Sequence, residues 1–502
     1  VSESPNPPAE NNLPTWAWTV LALLTFPAFL LGLTVPFIGP DEPRYAEVGR
    51  EMWQSGDWIT PTLGGYHWFE KPPLLYWFEA CFYSIFGVNE FAARLGPALS
   101  GLGIVVCLWL VARTTVGRCA PRLANWIAVI AASTLGLITF SHAATTDVVV
   151  TLPLTIAMSA FFVYDRRSAS GKVGAKLYTP LATIYIAAGV ALLAKGLIGL
   201  IFPPAIIIVY YALSRRWPTR TLIFSAMWGL PLTLAVAAIW YVPMYLRYGS
   251  EFINEFIIRQ HFERFTTNVF QHPQPFYFYL WVLPLMTMPW LPFFVAGLWK
   301  AVRQVAKRDD SSQASPLLLF SLAWLLVPLV FFSASGSKLP GYVLPSLPAA
   351  IILTGIVVNS LGRSSRSWTR IFAVLAGVTL VAVSVVLLVV LPGQASQESV
   401  KPLLDAAADR GFESSSVVLM YADSFGSEFY AGDRLPRPAD GKQLKLYGAS
   451  ELEQTLRDGD GSPTLVLIPK EYSREILDDP RLRSEVLAEN HDSLIAIVTL
   501  KN

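Results

Sequence analysis

The sequence predicts a mainly α-helical, polytopic membrane protein: a transmembrane helical bundle with interfacial helices in its outer loops and a small α/β domain at the C-terminal end. Three observations carry that prediction. Of 502 residues, 53% are hydrophobic and only 15% are charged, against about 25% charged in an ordinary soluble domain. Apolar runs of roughly 20 residues, the length that crosses a hydrocarbon core, recur from Trp16 to Pro392. The residues beyond them change character, with short β-branched runs alternating with polar helical stretches. A net charge of +2 gives no reason to expect a nucleic-acid partner. The three cysteines, Cys81, Cys107 and Cys119, are scattered without a CxxC, which argues against a disulfide framework or a thiolate zinc site.

The elements follow in order. Residues 1–14 are polar and proline-rich and read as a disordered tail. The apolar run from Trp16 to Ile38 is too long for the core of a cleavable signal peptide and reads as a first span. Eleven spans are expected, at 15–38, 91–112, 122–141, 143–164, 177–194, 196–213, 221–245, 277–299, 316–334, 340–361 and 370–392. A re-entrant segment would change the count by about two, giving about 11–13. Short loops alternate in charge. Arg113, Arg118 and Arg122 fall in one, Arg166, Arg167, Lys172 and Lys176 in the next of the same set, and Arg215, Arg216 and Arg220 in a third. Lys300, Arg303, Lys307 and Arg308, then Arg363, Arg366 and Arg370, complete the series. By the positive-inside rule these loops face the cytoplasm. The bundle, 15–392, then presents loops 39–90 and 246–276 outside, and 393–502 forms an outer α/β domain. Its strands are expected in "SSVVLMYA", "TLVLIP" and "LIAIVTL", its helices in "ASELEQTLRDG" and "EYSREILDD".

The first outer loop opens with "IGPDEPRYAEVGREMWQSGDW", residues 38–58. Helical spacing puts Tyr45, Val48, Met52 and Trp53 on one face and Arg44, Glu47, Arg50 and Glu51 toward the other, the pattern of a helix lying in the membrane interface. Glu47, Arg50 and Glu51 read as solvated. Asp41, Arg44, Glu70 and Lys71 sit beside apolar runs, where ionisation without partners is costly. The turn "TPTLGGY" follows, then "HWFEKPP", then "LLYWFEACFYSIFG", apolar but too short to span. Interleaved acids and bases suit a site that binds a phosphate while managing a second group.

These residues resemble a known family. "DEPRYAEVGREM…GDWITPTLGGYHWFEKPPLLYW" is similar to the first periplasmic loop of the bacterial lipid A aminoarabinose transferases (ArnT), which belong with the protein O-mannosyltransferase-like membrane glycosyltransferases of the GT-C fold. "TTD" at 145–147, "LAKG" at 193–196, "HFERF" at 261–265 and "SKLPGYVLPSLPA" at 337–349 resemble later family blocks in the same order, and "EFYAGDR" and "LVLIPKEY" resemble the family's periplasmic domain. Pro43 departs from the usual Thr, Trp68 stands where Tyr is usual, and the tail is short. The resemblance implies an inverting transfer of 4-amino-4-deoxy-L-arabinose from undecaprenyl phosphate to a lipid A phosphate, on the periplasmic face of the bacterial inner membrane. Relatives move other sugars onto lipopolysaccharide or mannosylate protein hydroxyls. A lipid or sugar transporter is the rival class. It accounts poorly for charges gathered at the outer surface, away from the bilayer midplane where transport sites sit.

Departure of a lipid phosphate calls for cations where its charge develops. Lys71, stiffened by Pro72 and Pro73, is the first choice and Arg264 the second, with Arg44, Tyr45 and Arg259 as helpers. Arg259 reads equally as a headgroup anchor. Asp41 would be the general base toward a hydroxyl acceptor, or an orienting group toward an anionic phosphate. Asp147 is a second acidic candidate or a helix cap. Lys195 either serves the site or snorkels, and Lys338 and Tyr342 could line a donor cavity. No cofactor is expected to be required; zinc on Glu70 and His261 is the one metal option the residue types allow. His67, His142, His272 and His491 read as structural or exposed. The segment "QHFERFTTNVFQHPQPFYFY" is expected to act as a movable cover. The partners implied are a polyprenyl-phosphate sugar donor, a lipid acceptor and membrane lipids.

Overall fold

The structure is a computed structural model that describes residues 12–115, 120–263, 273–306, 315–438, 443–459 and 462–501. All eleven segments read as spans are helical in it. Among the described residues, seven helices are long and apolar enough to cross a membrane, or nine if each of two bent pairs is one span. The other two segments form shorter apolar helices, Thr15–Leu30 and Ile198–Leu213.

Contacts divide the chain into two compact units. One comprises the residues up to Leu31, Phe69–Leu75 and Gly96–Ser384. The other comprises Gly32–Trp68, Tyr76–Leu95 and Val385–Asn502. The linear division into 15–392 and 393–502 thus differs from the grouping by contact, because the first outer loop mostly clusters with the C-terminal residues.

The first unit is the helical body. Its aromatic core includes Phe162 stacked on Phe320 at 4.9 Å, with Phe161, Tyr210 and Trp324 packed around them. The helices Ala175–Lys195 and Arg220–Phe252 approach closely at Gly189, where a Cβ would meet the Thr233 carbonyl and Val236. Small residues permit such approach between membrane helices.

The expected spans 122–141 and 277–299 are broken. Pro121–Ala132 and Leu135–Ser141 meet at 56°, and Phe278–Met286 and Leu291–Ala306 at 119°. A break leaves backbone groups without helical partners, which is costly in lipid. Here the two breaks serve each other. The Leu135 N–H donates to the Met288 carbonyl at 2.9 Å, and the Trp290 indole donates to Ser133 Oγ at 3.0 Å.

The second unit holds the amphipathic helix Asp41–Ser55, the antiparallel pair β1 (Thr62–Leu63) and β2 (Tyr66–His67), most of the helix Leu74–Phe86, and the α/β domain. That domain has strands β3 (Val417–Met420), β4 (Lys445–Leu446), β5 (Thr464–Pro469), β6 (Leu482–Glu489) and β7 (Ser493–Leu500), in the order β4-β3-β5-β7-β6. β3 runs parallel to β4 and β5, and β7 antiparallel to β5 and β6. Alternate residues of β3, β5 and β7 feed separate apolar clusters on the two faces of the sheet, as the period of two requires. "ASELEQTLRDG" is helical over Ala449–Asp458, whereas "EYSREILDD" forms only a 3-10 turn at Lys470–Tyr472 and a short helix, Arg474–Leu477.

The expectation that Glu47, Arg50 and Glu51 are solvated is overturned. The helix Phe425–Ala431 packs on the helix Asp41–Ser55, and the polar face is covered. Glu47 is 2% exposed and pairs with Arg50 at 2.6 Å, while Arg50 also donates to the Phe429 carbonyl at 2.9 Å. Glu51 accepts from Thr62 Oγ1 and the Gly64 N–H, both at 2.5 Å, and so ties down the β1–β2 turn. Trp53, placed on the apolar face, is exposed.

Candidate functional site

The chemistry collects in a cavity of about 270 Å³ in the helical body. Its polar lining comprises Glu70, Lys71, Lys195, Gln260, Ser335 and Tyr342. Its apolar wall is built from Pro72, Leu197, Ile198, Ile201, Phe262, Phe331 and Phe332. Four residues singled out in the sequence, Glu70, Lys71, Lys195 and Tyr342, therefore meet in one place although 272 positions separate the first from the last.

Local structure explains each position. Glu70 and Lys71 sit in the turn before the helix Leu74–Phe86, followed by two prolines that fix the backbone. Lys71 Nζ lies 2.7 Å from Glu70 Oε1, and both side chains are mostly buried. Lys195 ends the helix Ala175–Lys195, where a cation is favoured by the helix dipole. It pairs with Asp147, in the first turn of Thr146–Ala169, where an anion is favoured. Its ammonium also stands 4.7 Å from the centre of the Tyr342 ring. Tyr342 lies on the 3-10 turn Pro340–Ser346, and a Cβ at the neighbouring Gly341 would overlap the Asp147 carboxylate. Asp147 is thus a partner of Lys195, and the cap position before its helix belongs to Thr145.

Lys338 is placed differently. It is 6% exposed, does not line the cavity, and donates to the carbonyls of Ser335 and Gln274. It holds the loop from which Ser335 faces the cavity. Arg259 pairs with Glu255 at 3.1 Å on an exposed helix face and is not a lining residue. Arg264 lies outside the described residues, as does the His261 side chain, and with them the zinc option and residues 264–272 of the expected cover. His142 is structural as read, its ring nitrogens 2.8 and 3.0 Å from the carbonyls of Ile138 and Leu31.

Asp41, Arg44 and Tyr45 belong to the other unit. Asp41 and Arg44 pair at 2.5 Å. The Arg44 guanidinium lies over the rings of Tyr45, Trp68 and Phe425 at 5.2 to 5.5 Å, and Tyr45 packs against Tyr76 at 6.3 Å. The same unit buries acids that the sequence reading left without a role. Glu42 takes a two-pronged grip from Arg94, Nε and Nη2 each 2.8 Å from a carboxylate oxygen. Arg94 also donates to the carbonyls of Leu33 and Val35. Glu79 is fully buried against Gly49, and among the described residues neither of its oxygens has a hydrogen-bond donor. Burial, reinforced by the Glu42 charge, pushes its carboxyl well above the usual range. Burial also pushes Glu47 up to about 7, against the pull of Arg50.

Among the described residues, one carboxylate trio, Glu47, Glu51 and Glu428, is close enough to share a metal, with ligand atoms within 4.8 Å. Arg50 and Arg437 neutralise two of the three and backbone amides hold the third, so the trio is an ion network with its countercharges built in.

Gln260, Ser335, Phe331 and Phe332 were missed in the sequence. The signal available was the aromatic pair just before "SKLPGY"; Gln260 carried none.

Residues 17–253 match the profile of the dolichyl-phosphate-mannose-protein mannosyltransferase family. An undecaprenyl phosphate-α-4-amino-4-deoxy-L-arabinose arabinosyl transferase of Shewanella sediminis is 34% identical over 359 residues, 70% of this chain and 61% of that protein. Its counterpart in Aeromonas salmonicida is 33% identical over 371 residues, 73% of this chain and 64% of that protein. The chain therefore spans less than two thirds of the length of these curated relatives. Among solved structures, ArnT from Cupriavidus metallidurans bound to undecaprenyl phosphate superposes with a TM-score of 0.78 at 22% identity, covering 96% of this chain and 98% of that one. The archaeal oligosaccharyltransferase AglB from Archaeoglobus fulgidus, in complex with an inhibitory peptide and a dolichol-phosphate, gives 0.55 at 12% identity, covering 91% and 70%. By sequence the chain is similar to the bacterial aminoarabinose transferases, and by structure it has the GT-C fold.

Proposed function

We propose that the protein is an inverting, polyprenyl-phosphate-dependent glycosyltransferase, and that it moves 4-amino-4-deoxy-L-arabinose from undecaprenyl phosphate to a lipid A phosphate. The observation that carries this reading is the cavity in which Lys71 and Lys195 stand against an apolar wall. A lipid phosphate donor needs both: cations for the phosphate and apolar surface for the first isoprene units. Lys71 and Lys195 take up the charge that develops on the departing phosphate, the term that dominates catalysis of such steps. Glu70 and Asp147 hold the two ammonium groups before substrate arrives. An acceptor phosphate is already anionic at neutral pH, so attack on the anomeric carbon needs no strong base. Asp41 orients the acceptor, or the amino group of the sugar. Direct displacement inverts the anomeric centre.

We put the reaction on the periplasmic side of a bacterial inner membrane, a reading that the charge pattern of the loops supports. We assign no required metal, and treat zinc at Glu70 and His261 as incidental.

The test is mass spectrometry of lipid A from a Gram-negative host that makes the aminoarabinose carrier but lacks its own transferase. Wild type should add an aminopentose, and Asp41→Asn and Lys71→Ala should not. Unmodified lipid A from folded wild-type protein would refute the assigned sugar and acceptor and favour another lipopolysaccharide sugar.

A further inference from the structure

A second cavity, of about 510 Å³, lies elsewhere in the helical body and shares no residue with the first. It forms where the helix Ile198–Leu213 gives way to Arg220–Phe252 through the linker 214–219. Ile207, Ile208 and Tyr211 line one side, and Arg215, Arg216 and Trp217 the other.

Each side has its own character. Ile208 is 67% exposed in the second half of the apolar helix Ile198–Leu213, which in a membrane protein means contact with lipid. Trp217 is 92% exposed, and a tryptophan that bare is at home at headgroup level. Arg215 adopts a left-handed backbone, φ 50°, which non-glycine residues rarely occupy and which is retained where the surroundings require it.

Arg216 is fixed in place by donating to Tyr210 Oη at 2.8 Å and by lying 3.4 Å from the buried Asp165 carboxylate. That carboxylate is shared with Arg166 at 2.9 Å and with Tyr210 at 2.8 Å. One acid thus serves two guanidiniums, with Arg215 beside them, and positive charge is left over at the cavity mouth.

We propose that this cavity binds a bilayer phospholipid with an anionic headgroup, its phosphate on Arg215 and Arg216 and the start of an acyl chain along Ile207 and Ile208. Basic pockets between membrane helices on the cytoplasmic side bind such headgroups, and the positive loops put this end of the bundle on that side. The occupant is a lipid rather than a free anion because the isoleucine wall continues from the arginines toward the bilayer. The site does not depend on the transferase reading, since it uses neither Lys71 nor Lys195.

The experiment is native mass spectrometry of the full chain in detergent, titrated with dioleoyl phosphatidylglycerol or dioleoyl phosphatidylcholine. Wild type should take up phosphatidylglycerol at about tenfold lower concentration, two cations near a headgroup each contributing several-fold. The double variant Arg215→Gln/Arg216→Gln should bind the two lipids within about twofold of each other. Arg215→Gln alone leaves the Asp165–Arg216 pair in place and should lose several-fold, so the proposal stays testable if the double variant fails to fold. Lys71→Ala, which removes a cation of the other cavity, should keep the preference. Equal binding of both lipids by wild type would overturn the proposal, as would a preference that survives Arg215→Gln/Arg216→Gln. Complete displacement of phosphatidylglycerol by equimolar inorganic phosphate would mark a free-anion site and overturn it too.

Discussion

The cavity and the helix Asp41–Ser55 use the same ingredients to opposite ends. Both pair lysine or arginine with a carboxylate in mostly apolar surroundings. The two pairs at the cavity keep 11 to 16% of their side-chain surface, and Glu70, Lys71 and Lys195 line a space a ligand can enter. Around Asp41–Ser55 the Arg94–Glu42 and Arg50–Glu47 pairs each have one partner closed off, Arg94 at 4% and Glu47 at 2%, while Asp41 stays open at 48%. A cation that faces open space can exchange its carboxylate for a substrate phosphate. One that is sealed in cannot, and its worth is structural. Exposure of the pair, more than its presence, separates chemistry from architecture.

The comparison can be broken at several points. The largest effect is expected from Arg94→Met, which removes the guanidinium that grips Glu42 and frees the carbonyls of Leu33 and Val35. Removing one partner of a buried pair costs about 3–5 kcal/mol. Thermal unfolding in detergent should show it, and Arg94→Met/Glu42→Leu should recover much of the loss; a double variant as unstable as the single would refute the sealed-pair account. Next, Lys71→Ala and Lys195→Ala should each lower turnover by about 10²–10³-fold, the usual cost of one stabilising group at a developing charge. Their unfolding temperatures should stay close to wild type. If Lys71→Ala unfolds as readily as Arg94→Met, the distinction fails.

A third effect is one of pH. Glu47 is raised from the ordinary carboxyl value of 4.5 to about 7 in the fold, and Glu79 is raised also. Between those values the folded state binds more protons than the unfolded one, so stability falls as pH rises through the window and stays lower above it. Unfolding temperature should therefore drop from pH 5 to pH 7.5, and Glu79→Gln should flatten the slope; a slope unchanged in that variant would remove Glu79 from the account. The smallest effect is expected at Arg259→Gln, because an exposed i, i+4 pair contributes only about 0.3–0.5 kcal/mol. Turnover and unfolding should both stay near wild type, and a large loss of turnover would return Arg259 to the donor site.

Much of this was legible in the sequence because it rests on short-range pattern. Apolar run length marked every candidate membrane segment, the blocks "FEKPP", "LAKG" and "SKLPGY" marked three parts of one cavity, and "TTD" marked the acid that pairs with its Lys195. What was not legible depends on which surface covers which. Glu47 and Arg50 look solvated on a helical wheel until Phe425–Ala431, far along the chain, closes over them. Glu79 is a single acid in an apolar helix, and spacing does not say whether its carboxyl meets lipid, water or Gly49. The break in 277–299 did carry a signal, the crowded prolines of "LPLMTMPWLP", but hydropathy averaged over a window hides it. Strand β6, "LRSEVLAE", is charged along its outer face because it edges the sheet, so its composition imitates a helix.

The helix Arg220–Phe252 kinks at Gly249, φ 50° and ψ -122°, and the π-helical turns Ile253–Glu263 follow it. At 1.5 Å per residue the stretch before the kink is about 44 Å long, against about 30 Å for a hydrocarbon core. It therefore passes the core before it bends, and the segment beyond the kink delivers Gln260 to the wall of the cavity. The consequence is one of register. Deleting the exposed Asn254 turns Gln260 by roughly a quarter of a revolution about the axis. The length of this segment, as much as any side chain on it, sets which atoms a substrate meets.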